Sequence, residues 1–215
     1  MIIRNLIFDL DGTLVDSSDG VVEAVNYSLR CAGAPERPPD VIKAYIGYPL
    51  EEMYRDFTDL PVGELREHFR IKAARTVVPS ATALQGADSV LRTLHAAGYR
   101  MAVATTKIRQ HVDGILAKLG WDALVSVSVS GNEVKRVKPD PEPFRLALQG
   151  LAGTPEDTLA VGDTINDVLA ARAVPMQVVA VSSPYGGREK LKASKPDFFI
   201  ESIAELPALL NGGRS

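Results

Sequence analysis

The chain has 215 residues, with 24 Lys or Arg against 27 Asp or Glu and a formal charge of −3. Its 46% hydrophobic and 24% charged content is ordinary globular usage, which excludes a disordered or collagen-like chain. The slight acidic excess has the wrong sign for a nucleic-acid binder, and no run approaches the about 18 apolar residues of a membrane span.

The first apolar run, Leu6-Ile7-Phe8, has no polar alternation and reads as a strand buried on both faces of a parallel sheet. It ends at Asp9-Leu10-Asp11-Gly12-Thr13, and Asp9 also interrupts any signal-peptide core. From Ser17 to about Ala83 no strand signal appears; helical spacing recurs instead, as in Val21, Val25 and Leu29 or Met53, Tyr54 and Phe57. About four helices fit this stretch, too long for a strand-to-helix loop, so residues 16–83 are expected to form a helical cap. Residues 1–15 and 84–215 are expected to form the core.

Beyond the insertion, helical patterns at 87–97, 108–119 and 141–151 alternate with short apolar runs. The runs are Met101 to Ala104, Leu124 to Val129, Thr158 to Val161, Val178 to Val181, and Phe198 to Ile200. Thr154-Pro155-Glu156-Asp157 has the composition of a helix start, yet the strand-like Thr158 to Val161 leaves it room for a single turn. Such alternation predicts an α/β fold, a doubly wound, Rossmann-like parallel sheet. Cys31 stands alone, which rules out an internal disulfide and suits a reducing, cytoplasmic compartment.

Ligands of open parallel sheets bind outside the carboxyl ends of the strands. The residues just past the runs are Asp9 and Asp11, then Thr105, Thr106 and Lys107, then Lys138 after a loop, then Asp163 and Asp167. Four carboxylates gathered there repel one another, and some must protonate unless a cation joins them. Oxygen ligands without His or Cys select Mg²⁺, and the metal with Lys138 makes a phosphate the natural substrate. Of two acids separated by one residue, one can be a nucleophile and the other can handle protons. His68, His95 and His111 share no ligand spacing and are expected at the surface or partly buried. The basic residues of 43–75 read mostly as a solvated face.

Four motifs together resemble the haloacid dehalogenase-like hydrolase superfamily, in its phosphoglycolate phosphatase-like branch with a helical cap. They are Phe8-Asp9-Leu10-Asp11-Gly12-Thr13-Leu14-Val15-Asp16-Ser17, then Thr105, then Lys138-Pro139, then Gly162-Asp163-Thr164-Ile165-Asn166-Asp167. The second departs from the family in having Thr106 where Asn is frequent. The resemblance implies Asp9 as the phosphorylated nucleophile and a metal ligand. Asp11 is implied as acid and base, with its carbonyl on the metal. Thr105 is implied to hold a phosphoryl oxygen, with Thr106 beside it, and Lys138 to offset charge. Asp163 is implied as a direct ligand, and Asp167 as a ligand through water or as the residue orienting Lys138, with Asn166 a further contributor. Gly47-Tyr48-Pro49 resembles the cap loop that faces the active site, making Lys43 and Tyr48 the substrate-binding candidates in the cap.

An acid at position 11 favours phosphate esters over carbon–halogen bonds within this superfamily. The implied activity is Mg²⁺-dependent hydrolysis of a small phosphorylated metabolite by a monomer or homodimer, with sheet order 3-2-1-4-5. The alternatives are a phosphomutase of the beta-phosphoglucomutase type, a pyrophosphatase, and a non-enzymatic receiver-like phospho-signalling module. The receiver reading conflicts with an acceptor Asp on the first strand and with an insertion of this size.

Overall fold

In the computed structural model, which describes residues 3–185 and 187–212, the run before Asp9 is β1 (Asn5–Phe8), buried along its whole length. A two-residue strand, β2 (Val15–Asp16), follows. Four helices come next: α1 (Ser18–Cys31), α2 (Pro39–Lys43), α3 (Leu50–Phe57) and α4 (Val62–Ser80). The chain returns through β3 (Thr82–Ala83), which pairs antiparallel with β2. This small ribbon stands where the expected boundaries at 15–16 and 83–84 fall. At two residues per strand it is too short for any alternation to register, so the sequence carried no strand signal there.

The remaining chain alternates: α5 (Ala87–Ala96), β4 (Arg100–Ala104), α6 (Arg109–Leu119), β5 (Val127–Val129), α7 (Glu142–Leu151), β6 (Thr158–Gly162), α8 (Ile165–Arg172), β7 (Gln177–Val181), α9 (Arg188–Ala193), β8 (Phe198–Ile200) and α10 (Leu206–Gly212). Thr154 to Asp157 makes one capped turn of 3-10 helix over Pro155–Asp157 and feeds directly into β6. Only Val127–Val129 of the run from Leu124 is strand. Leu124 and Val125 instead close a turn onto the Trp121 carbonyl and bury their side chains in the core.

The sheet is parallel, in the order β5-β4-β1-β6-β7-β8. Its first five strands have the expected 3-2-1-4-5 arrangement, and β8 adds a sixth at the edge. Alternation within each strand builds the two cores. Leu6, Phe8, Met101, Val103, Leu159 and Val161 meet α5, α6 and α10 on one face. Ile7, Ala102, Ala104, Ala160 and Val178 meet α7, α8 and α9 on the other. A third cluster, with Val25, Leu29, Ile42, Tyr54, Phe57 and Leu65, belongs to the inserted helices, where α1 lies along α4. The inserted helices thus have an apolar cluster of their own, while Ala24 of α1 and Ala73 and Val77 of α4 join the core on the first face of the sheet. Among the described residues no helix is long and apolar enough to cross a membrane, and Cys31 is an exposed free thiol.

Candidate active site

Asp9 is the first residue beyond β1, and its amide donates to the Val161 carbonyl at 2.8 Å, tying it to the neighbouring strand end. The chain then turns sharply: Gly12 donates to the Val15 carbonyl, while Leu14 and Val15 both donate to Leu10, each at 2.9 Å. This turn sends two acids in different directions. The Asp9 carboxylate points into a buried group with Asp163 and Asp167, whose ligand oxygens all lie within 4.8 Å of one another. The Asp11 carboxylate points away from that group. It pairs with Lys107 at 2.8 Å and accepts from the Ser17 hydroxyl at 2.6 Å, in the wall of a cavity beneath the insert.

Lys138 threads between the acids. Its ammonium, 2% exposed, lies 2.7 Å from Asp9 Oδ1 and 2.6 Å from Asp167 Oδ1. Asp167 is oriented from its other side. As the third residue after the α8 cap, it accepts from the Thr164 amide at 3.0 Å and hydroxyl at 2.6 Å, closing a capping box. Thr13 donates to Asp163 Oδ1 at 3.1 Å. Thr105 is buried, and its hydroxyl accepts from the Lys107 amide at 3.2 Å.

Burial dominates the electrostatics. It lifts the Asp9 carboxyl to about 7, against the pull of Lys138 and with Asp167 pushing the same way. Burial also lifts Asp163 well above the carboxylate range, with Asp9 and Asp167 adding to the effect. For Lys138 burial works against the charge, but Asp167 and Asp9 outweigh it and hold the ammonium above its usual range. Fully ionised, the three acids would carry more negative charge than one lysine balances, which is why burial and mutual repulsion push Asp9 and Asp163 toward the neutral form. Oxygen-only donors, buried and converging, fit a hard divalent cation.

The site residues expected from sequence divide in two. Asp9, Asp163, Asp167 and Lys138 converge, with Thr105 buried at the end of the adjacent strand β4. Asp11 stands apart: its carboxylate is not in the cluster, so any ligation by this residue falls to its carbonyl. Thr106 and Tyr48 line the cavity, and Gly47 (φ +89°) runs so close to Thr164 that a Cβ there would meet its methyl group. Lys43 is not among the residues lining the cavity; it pairs with Asp19 at 3.0 Å. It is also near enough to Asp16 that, against the upward push of burial and after hydrogen bonds from Ser18 and Tyr185, it helps hold that carboxyl below its usual range. Sequence reasoning assigned no role to Lys107, Ser17, Thr13 or Thr164, although all four stand in or beside the quoted motifs. It also placed His111 at the surface or partly buried, whereas the side chain is buried in the cavity wall. Burial, reinforced by Lys107, lowers its pKa to about 4. Its one available signal was the helical spacing to Ile115, which put it on the buried face of α6.

The turn at Gly12 yields a prediction. Its φ is +82°, and a Cβ would run into the Asp163 carboxylate. Gly12→Ala is expected to cost at least the roughly 1–2 kcal/mol of a left-handed non-glycine residue. Because the clash falls on a candidate ligand, activity should fall more than stability, read by thermal denaturation alongside phosphate release.

The model of the haloacid dehalogenase-like hydrolase family matches residues 6–181. The chain belongs to that family. Among curated relatives, a pyrophosphatase PpaX of Anoxybacillus flavithermus is 30% identical over 210 residues, covering 98% of both chains. A plasmid-borne phosphoglycolate phosphatase of Cupriavidus necator is 33% identical, covering 97% of this chain and 94% of that one. Among solved structures, a haloacid dehalogenase-like family hydrolase from Streptococcus pneumoniae superposes with a TM-score of 0.87 at 26% identity, over 96% of this chain and 98% of that one. This hydrolase accordingly falls in the phosphoglycolate phosphatase-like branch of its family.

Proposed function

We propose that the chain hydrolyses a small phosphate monoester with Mg²⁺ and an aspartyl-phosphate intermediate on Asp9. The observation that carries this reading is the divergence of the two acids. Asp9 is buried against Lys138 and the other carboxylates, and Asp11 faces the cavity where a leaving group would lie.

In the first half-reaction an Asp9 carboxylate oxygen attacks phosphorus, and the bond from phosphorus to the leaving oxygen breaks. Asp11 gives that oxygen its proton, releasing an alcohol. In the second, a water attacks the same phosphorus and loses its proton to Asp11. Inorganic phosphate departs and Asp9 regains its carboxylate. Lys138 offsets the charge on Asp9 and the phosphoryl group, while Asp167, anchored by Thr164, holds Lys138 in place. The Thr105 hydroxyl and the amides after Asp9 are donors for phosphoryl oxygens. Asp9, Asp163, Asp167 and the Asp11 carbonyl would hold Mg²⁺. Its contribution when bound is to neutralise charge and polarise the phosphoryl oxygens.

Residues 16–83 act in this reading as a cap whose loop at Gly47-Tyr48-Pro49 closes over the site. The free Cys31 and the absence of a disulfide partner suit a cytoplasmic enzyme. Phosphate release from a panel of phosphate esters tests the proposal. Removal of metal with EDTA should take the rate to background, and Mg²⁺ should restore it. A rate indifferent to chelation removes the metal from the reaction. A product that is an isomeric sugar phosphate, with no free phosphate, makes the protein a mutase instead.

A further inference from the structure

The cavity between the insert and the sheet has a volume of about 560 Å³, well within the roughly 300–1,000 Å³ of small-molecule sites. Asp11 lies in its wall, so the space is continuous with the side of the site that receives the leaving group. Apart from Asp11 and His111, its buried wall is apolar: Ile42, Ile46, Met53 and Val77 line it, with Leu50 and Phe69 half-buried beside them.

The charges of the wall balance and are paired. Three acids, Asp11, Glu51 and Glu67, face three cations, Lys107, Arg66 and Arg70. Lys107 lies 2.8 Å from Asp11, Arg66 3.0 Å from Glu51, and Arg70 2.6 Å from Glu67. The arginines are 59% and 66% exposed, so they sit at the solvent rim; the one buried cation, Lys107, is held by Asp11. His111, in the same wall, is buried beside Lys107.

A second anionic group on the substrate, such as the carboxylate of phosphoglycolate or the distal phosphate of pyrophosphate, would leave water for a wall whose one buried cation, Lys107, is paired with Asp11 and whose arginines are paired at the rim, so little of its desolvation is offset. An uncharged hydrocarbon group meets the opposite situation, because the wall gains by covering it. Two carbons of a glycolate would also leave most of the volume unfilled. Resting on the phosphatase reading above, we infer that the leaving group is an uncharged, predominantly apolar alcohol of medium size, alkyl or aryl, and that compact anionic leaving groups are disfavoured.

The test compares kcat/KM of the Mg²⁺-loaded protein for hexyl phosphate, methyl phosphate, phosphoglycolate and pyrophosphate. Acetyl phosphate, a compact and activated phosphoryl donor, reports separately on the core chemistry. Hexyl phosphate is expected to exceed each of the other three by at least tenfold. Phosphoglycolate or pyrophosphate equal to or better than hexyl phosphate, with acetyl phosphate turned over, overturns the inference and leaves the phosphatase reading intact. Failure to turn over acetyl phosphate or any ester overturns the phosphatase reading, and the inference falls with it. A variant adds an independent arm. Leu50→Arg, at a half-buried position, introduces a cation into the wall and should shift the ratio of phosphoglycolate to hexyl phosphate upward by at least tenfold. An unchanged ratio in folded Leu50→Arg protein counts against the wall as the determinant.

Discussion

Asp9→Asn is expected to abolish turnover while the protein stays folded. An amide oxygen at position 9 is too weak a nucleophile to accept a phosphoryl group, so kcat should fall by at least about a thousandfold, some 4 kcal/mol of barrier. Stability should move the other way or not at all. In the metal-free protein burial already opposes the ionised form of Asp9, lifting its pKa to about 7, and Lys138 keeps its second partner, Asp167, at 2.6 Å. An amide is close to isosteric and carries no charge to bury. Steady-state phosphate release and thermal denaturation on the same preparation check both halves. Full activity in a folded Asp9→Asn protein removes Asp9 as the nucleophile. Loss of activity with a collapse of Tm shows only that the position is structural.

Much of this site was legible because its chemistry is written next to strand ends. A buried parallel strand appears as an uninterrupted apolar run, and the polar residue that ends it marks the carboxyl edge of the sheet. Asp9 after Phe8 and Asp163 after Gly162 follow that rule directly. Lys138 was harder to place. It follows β5 by a loop of several residues, so its place past a strand put it at the acidic end of the sheet less directly, and the match to a family motif supported that placement. Different roles for Asp9 and Asp11 were readable from a turn past the strand end, but the place the second carboxylate takes was not. It depends on the turn at Gly12 and on Lys107 and Ser17, which draw the second carboxylate aside. Lys43 shows the converse. Its position in the cap suggested a substrate contact; in this structure it instead pairs with Asp19 at 3.0 Å and is not among the residues lining the cavity. Pairings between distant surface side chains leave no periodic trace. The β2–β3 ribbon was missed for a related reason, since two residues per strand cannot display a period.

Lys138→Met should lose both stability and activity, and the pairing with Asp167 separates the two effects. The ammonium is 2% exposed and bridges Asp9 and Asp167, so its removal strands two buried carboxylates. Breaking a buried ion pair from one side costs about 3–5 kcal/mol, which for a chain of this size is roughly 10 °C in Tm. Activity should fall by at least about a hundredfold, because the charge that offsets Asp9 and the phosphoryl group is gone. Adding Asp167→Asn to Lys138→Met removes one of the stranded charges, while the side-chain oxygen still accepts from the Thr164 amide. The double variant should therefore recover part of the lost Tm, and the double-mutant cycle should give a coupling between the two positions above about 0.5 kcal/mol. It should not recover activity, because the ammonium beside Asp9 is still missing. Recovery of stability without turnover shows that the stranded Asp167 charge accounts for part of the lost Tm, and that relieving it does not replace the lysine in the reaction. Additive losses, with no coupling between 138 and 167, would sink the account of a buried pair broken from one side.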